Sequence, residues 1–225
     1  MKKITCILSL MFALAAYGQK NDDSGVKKVL AQRDSTLKVT MHADSVKINK
    51  EFDMKRRIAK IRPLEIYPVF NAGDGSGVIP VKDRTEIPDS TMDYKLLFEI
   101  PANNPDSTVS EINSALVEVA RVINLHVASG IPLKRIFPVI IMHGSGIRVV
   151  TTNASYKERY KTDNPNIKLV NQMSDLGVRF IICGQSMTYG ELNKDKFLPQ
   201  VKVSLTAQTV LSSYQLKGYV KYTEN

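Results

Sequence analysis

Hydrophobic and polar positions fall into two textures along this chain, and the change comes near Pro63. Between Ser24 and Ile61 the apolar residues Val26, Val29, Leu30 and Leu37 hint at helical spacing, but charge dominates and the stripe is thin. Beyond Pro63, short apolar runs alternate with breaks marked by Pro and Gly. Residues 64–70, the loop NAGDGSG and residues 78–81 read as a small β-hairpin or lid. The connector IPDSTMD then leads into a first core strand, Tyr94 to Ile100.

From that strand onward the two periodicities alternate. Asp106 or Ser107 can cap a helix whose apolar positions Ile112, Leu116, Val119, Ile123 and Val127 repeat at helical spacing, and Gly130 ends it. The run IFPVIIM is a buried strand. Residues 165–176 form a helix stopped by Gly177, and VRFIIC is a third strand. A loop or short helix runs through Leu192. Residues 201–205 are a fourth strand, residues 207–216 a helix closed by Gly218, and residues 219–222 a last short strand. Strands and helices in this rhythm imply right-handed crossovers. The predicted fold class is α/β, a three-layer α/β/α sandwich around a mainly parallel sheet of about five strands.

The N-terminus has a different character. Lys2 and Lys3 precede an apolar run from Ile4 to Ala16, followed by Tyr17, Gly18 and Gln19. That pattern is a secretory signal peptide over residues 1–18, cut between Gly18 and Gln19. The run is too short for a bilayer core, which takes roughly 20 residues. No later stretch has the length of a span, so the expectation is a mature chain without an integral membrane segment, periplasmic or secreted.

Charge sharpens the division. Residues 19–62 carry twelve Lys/Arg against six Asp/Glu, whereas residues 63–225 carry seventeen against sixteen. The basic excess therefore sits in the leader, residues 19–62, read as a solvated, partly helical or disordered arm before a domain over residues 63–225. A nucleic-acid reader would carry its basic patch on the folded surface with aromatics interleaved, and the leader has only Phe52. Nucleic acid is not expected as a partner.

Cys6 leaves with the signal, so Cys183 is the only cysteine of the mature chain. An exported protein with one thiol has no internal disulfide. That thiol must be buried, paired between chains, or chemically used. In parallel α/β sheets, ligands gather at the carboxyl ends of strands. His143 ends one strand in the phrase MHGSG and Cys183 ends another in CGQS. If those strands are neighbours, both side chains open onto one rim, with Gly144, Ser145, Gly184, Gln185 and Ser186 as candidate ligand-binding positions. Free N–H groups in the turn after Cys183 would favour its thiolate. Two plainer readings stand beside these: a cysteine packed as a small hydrophobe, and a histidine bonded to a turn backbone.

Other features carry less. NAGDGSG lacks the helix that must follow a phosphate-binding loop, since Val78, Ile79 and Pro80 come next. His42 and His126 have no partners at ligand spacing, so no metal and no cofactor is expected. Ser145 lies between Gly144 and Gly146, but a nucleophile elbow needs its glycines two residues away on each side. Asn153-Ala-Ser155 is a glycosylation sequon by pattern alone.

From about Ile66 to Tyr222 the chain resembles the DsrE family, in its exported branch. The resemblance is carried by YPVFNAGDGSG, IPDSTMDYKLLFEI, VARVINLHVASGIP, VIIMHGSG, LGVRFIICGQS and VKVSLTAQTVLSSYQLKGYV. Its most specific pieces are the strand-to-HG junction, the strand-to-CGQS junction and the closing GY. It implies a DsrE-like fold assembled into homo-oligomers such as trimers or hexamers. In sulfur-relay members a cysteine at a strand end carries persulfide sulfur to a partner protein, and Cys183 stands where the resemblance places that thiol. Two functions follow as expectations. One is an exported sulfur carrier exchanging with a donor or acceptor protein, with His143 supporting the thiolate or the incoming group. The other is a non-catalytic oligomeric module binding a small ligand or protein at the same rim.

Overall fold

The computed structural model describes residues 23–222. The signal segment over residues 1–18, its cut before Gln19, and Cys6 lie outside the described residues. The chain divides into two units, one ending at Lys60 and one beginning at Ile61.

The first unit is helix α1, Asp23–Ile61, 39 residues in one run. The thin apolar stripe of the leader belongs to one continuous helix. After Gly25 neither Gly nor Pro interrupts it until Pro63, which sits in the 3-10 turn Arg62–Leu64 that ends the run. Leu30, Leu37 and Phe52 are exposed along it. A helix this polar takes local support from its own surface, as in the Glu51–Lys55 pair one turn apart.

The second unit is built on a five-stranded parallel sheet. Its strands are β1 (Tyr94–Ile100), β2 (Ile136–Met142), β3 (Arg179–Cys183), β4 (Lys202–Ser204) and β5 (Val220–Tyr222), in the order β4-β3-β2-β1-β5. Between them lie α2 (Ser114–Ala128), α3 (Asn153–Tyr160), α4 (Ile167–Asp175), α5 (Gly184–Tyr189) and α6 (Ala207–Leu216). The strands step outward from β1 to β4. The chain then returns through α6 and sets β5 beside β1, so Lys221 pairs in register with Leu97.

Successive strand residues point to opposite faces, and here both faces are covered. Leu96, Phe98, Ile100, Ile140, Met142, Phe180 and Ile182 pack with Leu116, Val119 and Ile123 of α2 and with Leu169, Val170 and Met173 of α4. Leu97, Val139, Ile141, Ile181 and Cys183 pack on the other face with Ala207 and Tyr214 of α6. That double burial is why β2 and β3 read as unbroken apolar runs. The three-layer α/β/α sandwich expected from the sequence is the fold.

Three local expectations change. The hairpin over residues 64–81 is one antiparallel bridge, Ile66 to Val78, around an irregular loop. The buried Asn124 side chain holds that loop, accepting the N–H groups of Val69 and Phe70 and donating to Phe70 O and Ser76 O. With those groups satisfied by a side chain, a second strand is not needed to satisfy them. Helix α2 begins after Asn113, whose side chain accepts the Leu116 N–H, while Asp106–Thr108 is a separate 3-10 turn. Helix α3, capped by Thr152, is an element the apolar spacing did not reveal.

Candidate functional site

Helix α5 starts directly after β3, with Cys183 as the residue preceding its first turn. Gly184 makes that abrupt turn possible, because a Cβ there would lie 2.5 Å from Ser204 O on the neighbouring strand. The backbone N–H groups of Ser186 and Gln185 lie by the sulfur, that of Gln185 also donating to Leu205 O at 3.2 Å, and α6 opens against it with Ala207. The thiol is 5 % exposed. Burial alone would push it up. The backbone N–H and hydroxyl of Ser186, with the N–H groups of Ala207 and Gln185, outweigh that and hold it below its ordinary value.

Ser186 also ties the two strand ends together. Its Oγ accepts the Gly144 N–H at 2.9 Å, so one hydroxyl spans from the turn after β2 to the thiol after β3. Gly144 has φ of 54°, and a Cβ there would sit 2.6 Å from Pro101 O. Only glycine fits that turn.

His143 lies one residue beyond β2. Met142 pairs with Ile182, and continuing that register by one residue sets His143 beside Cys183 on the same sheet face. The imidazole is committed elsewhere: Nε2 meets Glu99 Oε1 at 2.8 Å, and Lys221 Nζ contacts Glu99 Oε2. Burial alone would raise the Glu99 carboxyl, but the hydrogen bonds and charges of Lys221 and His143 outweigh it and hold the carboxyl below its ordinary value. The groups that pull down the thiol are those of Ser186, Ala207 and Gln185, and His143 is not among them.

An open cleft of about 350 Å3 reaches Ser186, the residue that bonds the sulfur, with Gly144, Ser145, Arg148 and Tyr189 also in its walls. The Ser145 hydroxyl accepts the Asn103 N–H at 3.1 Å. Of the candidate ligand-binding positions, Gly144, Ser145 and Ser186 line the cleft, while Gly184 and Gln185 serve the sulfur. Sequence reasoning missed Glu99, Lys221, Arg148 and Ala207. Glu99 left one trace, a carboxylate inside the apolar run YKLLFEI, which at that depth needs a cationic partner.

The NAGDGSG loop is a turn closed on itself by Ser76, whose hydroxyl accepts the Ala72 N–H and donates to Gly73 O. His126 Nδ1 bonds Val122 O within α2. Among the described residues no group of three or more His, Cys, Asp or Glu is placed to hold a metal, and no helix is long and apolar enough to cross a membrane.

Fold and site together define a doubly covered parallel α/β domain that holds a nearly buried cysteine at a strand end, among donors that favour its thiolate. The chain belongs to the DsrE/DsrF-like family, which it matches over residues 97–221. Among solved structures, a protein of unknown function from Methanobacterium thermoautotrophicum is similar at 20 % identity. That match covers 58 % of this chain and 98 % of the other, with a TM-score of 0.43. No curated protein gives a significant match.

Proposed function

We propose that this member of a sulfur-relay-type family is a sulfur carrier, in which Cys183 receives sulfane sulfur and hands it on as a persulfide. The observation behind the reading is the donor set on the sulfur: three backbone N–H groups and the Ser186 hydroxyl favour its charged form. The thiolate attacks the outer sulfur of a donor persulfide, R–S–SH. A new S–S bond forms, the donor's S–S bond breaks, and the donor leaves as R–S⁻ with the electron pair. One negative charge stands on each side, and no oxidant or reductant is consumed. His143, beside Cys183 in register, meets the incoming group at the rim and is kept in place by Glu99.

In this proposal the chain works after export, in the periplasm or outside the cell, as a homo-oligomer such as a trimer or hexamer. It exchanges sulfur with a donor or acceptor protein. A second reading is favoured by the 5 % exposure of Cys183 and its packing with Ala207 and Tyr214: a non-catalytic binding module in which the thiol is only packed. Incubating the full chain and Cys183→Ser with a low-molecular-weight persulfide, then weighing both, separates the two. Added sulfur on the wild type alone supports the carrier, and no added sulfur on either selects the binding module.

A further inference from the structure

Seven arginines lie in the unit from Ile61 onward, and six have a partner. Arg62 pairs with Asp74, Arg121 with Glu118 and Arg135 with Asp93. Arg84 donates to Ala128 O, and Arg159 and Arg179 lie over the rings of Tyr160 and Tyr214. The Arg148 guanidinium alone has no ion pair, hydrogen bond or ring contact among the described residues, although the residue is half-buried. It stands in the wall of the cleft that Ser186 also lines, and the lining contains no carboxylate. Instead the cleft offers the hydroxyl-bearing Ser145 and Tyr189, the single Ser186 proton being directed to the sulfur. A half-buried guanidinium facing donors and no acid is a counter-charge without its ion.

We propose that this cleft is an anion site that selects the small molecule Cys183 acts on: a sulfane-sulfur compound whose leaving group carries an oxyanion, held by Arg148. The inference rests on the sulfur-carrier reading and adds the substrate class. In the step, the Cys183 thiolate attacks the sulfane sulfur and forms the new S–S bond. The bond from that sulfur to the leaving group breaks, and the electron pair departs with an anion already neutralised by Arg148. Ser186 connects the two halves of the site, because it lines the cleft and donates to the sulfur.

Two alkylating reagents of similar size and opposite demand on Arg148 test it on the full chain. Iodoacetate carries a carboxylate and iodoacetamide does not, and either transfers its carbon to the thiolate while iodide leaves. The ratio of the two rate constants divides out any change in the thiol itself. Arg148→Gln is expected to lower that ratio by roughly tenfold, the loss of one good charged contact, while Arg148→Lys keeps part of it. Inorganic sulfate should lower the ratio for the wild type, an arm that needs no variant to fold. A ratio that responds neither to sulfate nor to Arg148→Gln, with a thiol that iodoacetamide still modifies, overturns the anion site and leaves the carrier intact. A native thiol that neither reagent modifies overturns the carrier reading and the anion site with it.

Discussion

The Ser186 hydroxyl accepts the Gly144 N–H while its proton serves the Cys183 sulfur, so the ends of β2 and β3 are joined through one oxygen. Two residues far apart in sequence thereby meet beside a third. Gly144 supplies its N–H only because the turn after β2 takes φ of 54° against Pro101 O. Gly184 lets α5 start close enough to β4 for Ser186 to arrive. The groups that lower the thiol belong to the turn after β3 and the start of α6, and the imidazole of the HG phrase bonds Glu99 through Nε2.

Glu99 makes part of the stability depend on pH. Lys221 and His143 overcome the effect of burial and hold its carboxyl below 4.5, so the folded state binds a proton less readily than the unfolded chain. Its contribution is fully present above that ordinary value and is lost as pH falls through the depressed one. Melting temperatures taken from neutral pH down through 4.5 and below should fall more steeply for the wild type than for Glu99→Gln. Parallel curves would show that the carboxylate does not couple to folding.

Much of the sheet was legible because both of its faces are covered. Strands β1 and β2 and helix α6 stand where the apolar runs put them, since a doubly buried strand needs an unbroken run and a packed helix a repeating one. What spacing could not show is set by side chains acting on backbone. Asn124 replaced a hairpin by a clamped loop, and Asn113 moved the start of α2. The continuous α1 was obscured because its apolar positions are few beside its charges. At the site, Cys183 and His143 were visible as strand-end residues and Gln185 and Ser186 as the turn behind the thiol, but Ala207, Glu99 and Lys221 were not. Lys221 reaches Glu99 only because the chain crosses the sheet through α6 to put β5 next to β1, a consequence of strand order that no local window contains.

The same strand order predicts how truncations behave. Removing residues 201–225 takes away β4, α6 and β5 and bares Leu97, Val139 and Ile141, each worth about 1.5–3 kcal/mol of burial. That chain should show no cooperative thermal transition. Removing residues 19–60 takes away only the other unit, and the remainder should melt cooperatively. A leader deletion that abolishes the transition would make α1 part of the folding unit.

Asn124 is fully buried and meets four backbone groups of residues 69–76. Asn124→Leu strands all four, and urea melts should show a loss of at least about 2–4 kcal/mol. Asn124→Asp keeps the acceptor for the Val69 and Phe70 N–H groups but turns a second oxygen towards the carbonyls of Phe70 and Ser76. Its deficit should shrink in acid, where the protonated carboxyl regains one donor. A deficit that stays constant across pH would mean that the lost shape, rather than the lost donors, sets the cost.

The two functional readings part at the Cys183 thiol. Ser186 contributes both a backbone N–H and a hydroxyl to the Cys183 sulfur, and Ser186→Ala removes the hydroxyl alone. The thiolate then loses one donor while its burial is unchanged, so its pKa should move up and the alkylation profile should shift to higher pH. At neutral pH the variant reacts more slowly, because less of the thiol is ionised. Gly144 loses the acceptor of its N–H in the same substitution, so a small drop in melting temperature is expected beside the kinetic change. His143→Ala should move the profile much less, since its imidazole is bonded to Glu99 and gives the sulfur no hydrogen bond. Rates measured with iodoacetamide from pH 5 to pH 10, spanning the roughly 8.5 of a free thiol, resolve these shifts. If His143→Ala moves the profile more than Ser186→Ala does, the imidazole rather than the N–H cradle governs the thiolate. If the native thiol is silent across the whole range and reacts only on unfolding, Cys183 is a packing residue and the protein a binding module.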